Sequence, residues 1–165
     1  MTRAAVVTIS DSVCAGTRQD ASGPAVAARL EELGWEVAVR EALPDEAPRI
    51  SARLRELADS GEVAAIFTTG GTGVAARDVT PEATRAVIER EVPGLSEWMR
   101  AEGARRTRRA LLSRGVAGTR GRALIVNLPG SPGGALESLD AIVDLVPHVV
   151  ALLAGDTEHG KESKQ

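Results

Sequence analysis

The feature that most constrains this chain is the alternation of short apolar runs with longer amphipathic stretches. The run Ala-Val-Val-Thr-Ile within residues 3–9 is rich in β-branched side chains, which is typical of a buried strand. Residues 63–69 are apolar enough for a central parallel strand. Strands that alternate with helices predict parallel pairing. We therefore expect an α/β fold, a three-layer αβα sandwich with a mostly parallel sheet.

The predicted elements follow one another without a linker or an internal repeat, which favours a single domain over residues 1–155. Strands are predicted at residues 3–9, 35–43, 63–69 and 122–127, and helices at residues 22–33, 47–60, 80–91, 95–107 and 134–153, with an interruption near Pro147. Thr80 is predicted to be the N-cap of the third helix, with Pro81 at the first helical position. Residues 156–165 are polar and are predicted to form a disordered tail.

Composition argues against several classes of function. The net charge is −3 and aromatic residues make up 2% of the chain, which disfavours nucleic-acid binding, because that needs a basic surplus and stacking platforms. The single cysteine, Cys14, cannot form an internal disulfide, so a reducing compartment is expected. No apolar stretch approaches the roughly 20 residues that span a bilayer. We therefore expect a soluble, cytoplasmic protein with neither a nucleic-acid nor a membrane partner.

Unusual residue clusters follow four of the predicted strands. They are Ser10-Asp11-Ser12, Pro44-Asp45-Glu46, the stretch 68–73 with Arg77-Asp78 beyond it, and Asn127-Leu128-Pro129-Gly130-Ser131-Pro132. Each cluster alone could be turn chemistry, because Gly, Pro and Asp are common in loops. All four fall on the same predicted edge, however, and open α/β sheets bind ligands at the carboxyl ends of their strands. The sequence therefore predicts a binding site at this edge.

The glycine-rich stretch at residues 69–73 has two interpretations. Its glycines let backbone N–H groups point into one cavity, and such a nest binds anions such as phosphate. It could equally be a flexible turn before the next helix. A dinucleotide fingerprint does not fit, because the helix is predicted to start several residues later and the acidic residue at the end of the following strand is missing. A phosphate-binding P-loop does not fit either, because the loop lacks its Gly-Lys-Ser/Thr ending.

The charged residues near this loop leave alternatives open. Asp45 and Asp78 could form a Mg²⁺ site, because Mg²⁺ binds few carboxylates together with substrate phosphates. Taken singly, Asp45 is explained as a turn residue after Pro44, and Asp78 as a cap just upstream of Thr80. The basic run at residues 105–109 is explained as a solvated helix face, although it could also hold a polyanionic ligand.

Six segments of the chain together form a recognisable pattern. They are Thr-Ile-Ser-Asp-Ser (8–12), Leu-Pro-Asp-Glu (43–46), Thr-Thr-Gly-Gly-Thr-Gly-Val-Ala-Ala-Arg-Asp-Val-Thr-Pro-Glu-Ala (68–83), Pro-Gly-Leu-Ser-Glu (93–97), Leu-Ser-Arg (112–114) and Asn-Leu-Pro-Gly-Ser-Pro (127–132). On these segments the chain resembles the molybdopterin adenylyltransferase family of MogA and MoaB type, which is also similar to the G domain of gephyrin-like proteins. The resemblance implies a MogA/MoaB-like molybdopterin-binding fold.

The resemblance implies a role in molybdenum cofactor biosynthesis: adenylyl transfer from Mg-ATP to the phosphate of molybdopterin, with release of pyrophosphate. It makes Asp45 and Asp78 the catalytic pair that holds Mg²⁺, with ATP as co-substrate. The candidate substrate-binding residues are Ser10, Asp11, Thr69, Gly70, Gly71, Thr72, Gly73, Ser113, Asn127, Pro129, Gly130, Ser131 and Pro132.

Two alternatives to catalysis remain. One is a non-catalytic molybdopterin carrier of the paralogous MoaB-type branch, and the other is a scaffold whose main role is oligomerisation. Family members are commonly trimers and sometimes hexamers, so the resemblance implies a homotrimer, with a hexamer as the alternative. The molybdate-inserting enzyme is a candidate partner.

Overall fold

The computed structural model describes residues 1–157, and the predicted disordered tail lies outside them from residue 158 onward. The strands are β1 (Arg3–Ile9), β2 (Glu36–Leu43), β3 (Ala65–Thr69), β4 (Arg90–Glu91), β5 (Ala117–Arg120) and β6 (Ala123–Leu128). The helices are α1 (Asp11–Cys14), α2 (Ser22–Glu32), α3 (Ala47–Asp59), α4 (Thr80–Arg85), α5 (Pro93–Ala104), α6 (Pro132–Ile142) and α7 (Val146–Leu153), with a 3-10 helix at Arg108–Leu112.

The strands form one sheet in the order β2-β1-β3-β6-β5-β4. β2, β1, β3 and β6 run parallel, whereas β5 and β4 pair antiparallel at one side. The predicted mostly parallel sheet is therefore confirmed. The prediction missed β5 and β4, which are only four and two residues long.

Apolar side chains pack on both faces of this sheet, which explains the three layers. In β1, Ala4 and Val6 join the core beneath α2, α5 and α6, whereas Ala5, Val7 and Ile9 join the core beneath α3 and α4. These residues of β1 are at most 2% exposed. A strand buried on both faces needs a continuous apolar run, and this is the pattern that the sequence shows.

Several predicted boundaries are wrong, among them those of the helix predicted at residues 95–107, which is α5 at Pro93–Ala104. Thr80 is the first residue of α4, after the N-cap Val79, because its hydroxyl donates to the carbonyl of Gly70 at 3.0 Å instead of capping the helix. That helix ends at Arg85 instead of continuing to residue 91. The last predicted helix begins earlier, at Pro132. Its predicted interruption near Pro147 is confirmed as the break between α6 and α7, which begins again at Val146. No helix within residues 1–157 is long and apolar enough to cross a membrane.

Candidate active site

The parallel register brings the four predicted loops to one edge of the sheet. Thr8 pairs with Thr69, and Thr69 pairs with Leu128. Ile9 pairs with Leu43 on the other side. The carboxyl ends of β1, β2, β3 and β6 are therefore level with one another, and their loops meet as the sequence predicts.

The loop after β3 depends on glycine for its shape. Gly70 and Gly71 have φ of +92° and +67°, which only glycine adopts readily. A Cβ on Gly71 would lie 2.3 Å from Thr80 Oγ1 and 3.1 Å from Asp45 Oδ1. The absence of a side chain here lets α4 and the Asp45 carboxylate approach the loop backbone.

The backbone donors of this loop are not all available. The N–H of Gly70 donates to the carbonyl of Leu128 at 3.1 Å, so Gly70 cannot offer it to a phosphate. Among residues 1–157, the N–H groups of Gly71, Thr72 and Gly73 have no acceptor. The part of the predicted anion nest that remains free is therefore residues 71–73.

Asp45 is held by Asp11 through a reciprocal pair of hydrogen bonds. The Asp11 N–H donates to Asp45 Oδ2 at 2.9 Å, and the Asp45 N–H donates to Asp11 Oδ1 at 3.0 Å. Arg77 forms an ion pair with the other oxygen of Asp11. Asp45 is thus more than a turn residue, because the loops after β1 and β2 fix its carboxylate in place.

Asp78 lies on the other side of the same loop. Its Oδ2 accepts a hydrogen bond from the Ala75 N–H at 3.0 Å, whereas the N-cap Val79 of α4 receives no side-chain cap. Asp78 therefore closes its own loop instead of capping the helix. The other oxygen of its carboxylate, Oδ1, accepts no hydrogen bond from the described residues.

The electrostatics of this carboxylate pair suit a cation. Burial raises the pKa of Asp45, and the negative charge of Asp78 raises it further. Both effects disfavour two ionised carboxylates without a counterion. No cluster of three or more His, Cys, Asp or Glu side chains that could hold a metal occurs within residues 1–157. The site fits Mg²⁺, which takes few carboxylates and completes its shell with substrate phosphates and water.

Arg114 braces the loop between the glycines and Asp78. Its Nε donates to the carbonyl of Gly73 and its Nη2 to the carbonyl of Asp78, each at 2.7 Å, and it forms an ion pair with Glu82. The sequence prediction missed this role, although Arg114 lies in the Leu-Ser-Arg segment that supports the family resemblance. A planar guanidinium can bridge two carbonyls at fixed geometry, so Arg114 is a positioning residue for Asp78.

Two cavities meet at this loop. The first has a volume of about 330 Å³ and is lined by Asp45, by the ends of β1 and β3 and by the segment before α2. The second has a volume of about 430 Å³ and lies between the loop, the 3-10 helix and the start of α6. Their linings share Gly71, Asp78, Gly130 and Ser131. A ligand in either cavity can therefore approach one in the other across this common wall.

The candidate substrate-binding residues divide between the cavities. The first cavity alone is lined by Ser10, Thr69 and Gly70, and the second alone by Thr72, Gly73, Ser113 and Pro129. Both cavities are lined by Gly71, Gly130 and Ser131. Neither cavity is lined by Asp11, Asn127 or Pro132. Ser10 and Ser131 also cap α1 and α6 with their hydroxyl oxygens.

Asn127 is buried among structural partners. Its Nδ2 donates to the hydroxyls of Thr68 and Thr84 at 3.0 and 2.9 Å, and its Oδ1 accepts from the Val116 N–H at 3.2 Å. These contacts tie β6 to β3, to α4 and to the segment before β5. Asn127 is only 1% exposed, and all of these contacts lie in the interior of the protein.

The sequence prediction also missed Asp20, which lines the first cavity. Its two carboxylate oxygens accept hydrogen bonds from the Thr8 hydroxyl at 2.7 Å and from the Gly23 N–H at 3.1 Å. The spacing Asp20-x-x-Gly23 at the start of a helix is a signal that could have indicated this residue.

Comparison with known proteins identifies the family of this chain. The family model described as "Probable molybdopterin binding domain" matches residues 5–148. The chain belongs to this family. The resemblance inferred from the sequence is thereby confirmed, and so is the fold that it implied.

Three relatives show how far the similarity to the molybdopterin-binding family extends. The molybdopterin adenylyltransferase of Haemophilus influenzae is 43% identical over 84% of this chain and 72% of its own length. The molybdenum cofactor synthesis protein cinnamon of Drosophila melanogaster is 42% identical over 92% of this chain, which spans only 25% of that protein. The structure of the molybdopterin biosynthesis enzyme MoaB from Thermus thermophilus superposes with a TM-score of 0.88 at 52% identity and covers 94% of this chain and 98% of that one.

Proposed function

We propose that this chain is a molybdopterin adenylyltransferase of molybdenum cofactor biosynthesis, which transfers the AMP group of Mg-ATP to molybdopterin. The observation that carries the proposal is the pair of cavities with Asp78 and Gly71 in their common wall. A transfer between two bound substrates needs such an arrangement. Relatives named molybdopterin adenylyltransferase, among them the Haemophilus influenzae protein, support the choice of reaction.

In the proposed reaction, an oxygen of the molybdopterin phosphate forms a bond to the α-phosphorus of ATP. The bond from the α-phosphorus to the bridging oxygen breaks, and that oxygen leaves with its electron pair as part of pyrophosphate. Both substrates are polyanions, so the residues of the site must align groups that repel each other. Alignment and charge stabilisation supply most of the catalysis in such reactions.

We assign the nucleotide to the first cavity and the pterin to the second. Asp45 lines the first cavity only, and Asp78 lines both. This placement puts the two carboxylates beside the triphosphate. Mg²⁺ held by Asp45, Asp78 and phosphate oxygens would supply charge neutralisation at the phosphates. Ser113 and Pro129 line only the second cavity of the two, and there they would contact the pterin substrate.

The protein's own groups then have separate roles. The free N–H groups of residues 71–73 would donate to a phosphate oxygen, as preorganised dipoles that need no rearrangement during transfer. Asp11 fixes the direction of Asp45 through their two mutual hydrogen bonds. Arg114 fixes the loop that carries Asp78.

The test is product formation from purified protein with molybdopterin, ATP and Mg²⁺, with the adenylated product resolved by chromatography. We expect product from the wild type and from Asp144→Asn, an exposed carboxylate that lines neither cavity. We expect none from Asp45→Asn or Asp78→Asn, with molybdopterin binding retained in both variants. Tight molybdopterin binding by a wild type that makes no product would instead establish the carrier function.

A further inference from the structure

The basic run at residues 105–109 contains two kinds of arginine. Arg105 forms an ion pair with Glu102 at 3.2 Å, and Arg106 forms one with Glu137 at 3.0 Å. Arg108 and Arg109 have no acidic partner within residues 1–157. The first two are explained as a solvated helix surface, whereas the last two carry uncompensated charge.

Position separates the two unpaired arginines. Arg109 lines the second cavity, and Arg108 does not. Both belong to the 3-10 helix, whose first turn is fixed because the Thr107 hydroxyl oxygen accepts the N–H of Arg109 at 3.3 Å. The same helix packs closely on α5, since a Cβ on Gly103 would lie 2.8 Å from the Ala110 Cβ. The segment is therefore held in place beside the cavity.

The charged residues that line the second cavity indicate a role for Arg109. The charged residues in its lining are Asp78, Glu137 and Arg109. Arg106 already pairs with Glu137, and in the proposed function the carboxylate of Asp78 would hold Mg²⁺. Arg109 is therefore the side chain of this lining whose positive charge is available to attract an anionic ligand.

We propose that Arg109 binds the anionic pterin substrate in the second cavity and makes the cavity selective for a negatively charged ligand. This inference rests on the proposed function for the identity of the ligand. The guanidinium offers several donors in one plane, which suits an oxyanion. Arg109 acts in binding and does not touch the α-phosphorus in the first cavity, so its effect falls on affinity for molybdopterin and not on that for ATP.

The experiment compares Arg109→Ala with Arg108→Ala, a neighbouring unpaired arginine outside the cavity. We expect Arg109→Ala to raise the Kd and the KM for molybdopterin roughly tenfold, as for loss of one charge-assisted hydrogen bond. The KM for ATP and the kcat at saturating molybdopterin should stay within about twofold, on the same reasoning that uniform binding affects KM alone. Arg108→Ala should match the wild type, and Arg109→Lys should recover part of the affinity.

Ionic strength provides a second measurement. The difference in Kd between the wild type and Arg109→Ala should shrink as salt is raised, because exposed charges are screened. Equal Kd values for these two proteins, or an equal loss in Arg108→Ala, would overturn the role of Arg109 even if the wild type makes adenylated product. An Arg109-dependent Kd without product would refute adenylyl transfer alone, and a wild type that neither binds nor adenylates molybdopterin would overturn both.

Discussion

Replacing Asn127 by alanine should destabilise the protein without acting directly on substrate binding. The Val116 N–H would lose its acceptor in a buried position, at a cost of about 1–3 kcal/mol. The bonds to the hydroxyls of Thr68 and Thr84 would each contribute about 0.5–1.5 kcal/mol. Both threonines are 0% exposed, so water cannot replace the lost partner. These contributions add to an expected loss of about 2–6 kcal/mol in the free energy of unfolding.

Urea denaturation at a fixed protein concentration measures this loss, and thermal denaturation should show a Tm lower by about 10 °C for a chain of this size. The Thr84→Val variant is the control, because it keeps the side-chain shape and removes one partner of Asn127. It should lose about 1–2 kcal/mol, and the double variant should lose less than the sum of the two. A loss below about 1 kcal/mol for Asn127→Ala, together with a raised KM for molybdopterin, would refute this reasoning and make Asn127 a substrate contact.

Three further predictions concern the loop itself. The pKa of Asp45 is raised by burial and by its carboxylate neighbour, so the ionised form of Asp45 destabilises the fold. Without metal, the Tm of Asp45→Asn should therefore match that of the wild type at low pH and exceed it increasingly as the pH rises through the folded pKa of Asp45. A Tm difference that does not change with pH would contradict this prediction. Arg114→Ala should lower kcat about 10- to 100-fold, because the carbonyls of Gly73 and Asp78 lose their donor. Glu82→Gln leaves those two hydrogen bonds intact and should retain most of the activity. Equal losses in the two variants would show that the ion pair between Arg114 and Glu82 matters instead. Gly71→Ala should lower the free energy of unfolding by at least about 1–2 kcal/mol, because Gly71 has a positive φ. Gly133 is a helical glycine with open space around it. Gly133→Ala should therefore leave the free energy of unfolding unchanged or raise it, as measured by urea denaturation.

Local pattern predicted the layers of this fold because the main strands are apolar on both faces. Residues such as Val6 and Val7 point to opposite cores and are both buried, and an apolar run indicates this directly. β5 could not be predicted in the same way. Its sequence Ala-Gly-Thr-Arg carries little strand signal, and it forms by pairing with β6.

The sequence predicted which loops form the candidate site, but not the hydrogen bonds within it. That Asp45 and Asp78 approach each other follows from the carboxyl ends of parallel strands meeting at one edge. The partners of Thr80 and Gly70 depend on how the loop backbone turns, which residue types alone do not determine. Arg114 reaches the carbonyl of Gly73 across 41 residues of sequence, and no local pattern encodes such a contact.

The most direct test of the central claim follows the phosphorus atom that moves. The wild type is incubated with molybdopterin, Mg²⁺ and ATP labelled at the α-phosphate, and the products are separated. The account predicts that the label appears in the molybdopterin product and that one unlabelled pyrophosphate is released for each product formed. Label that remains in ATP or appears only in free AMP, while molybdopterin stays unmodified, would contradict adenylyl transfer by this chain.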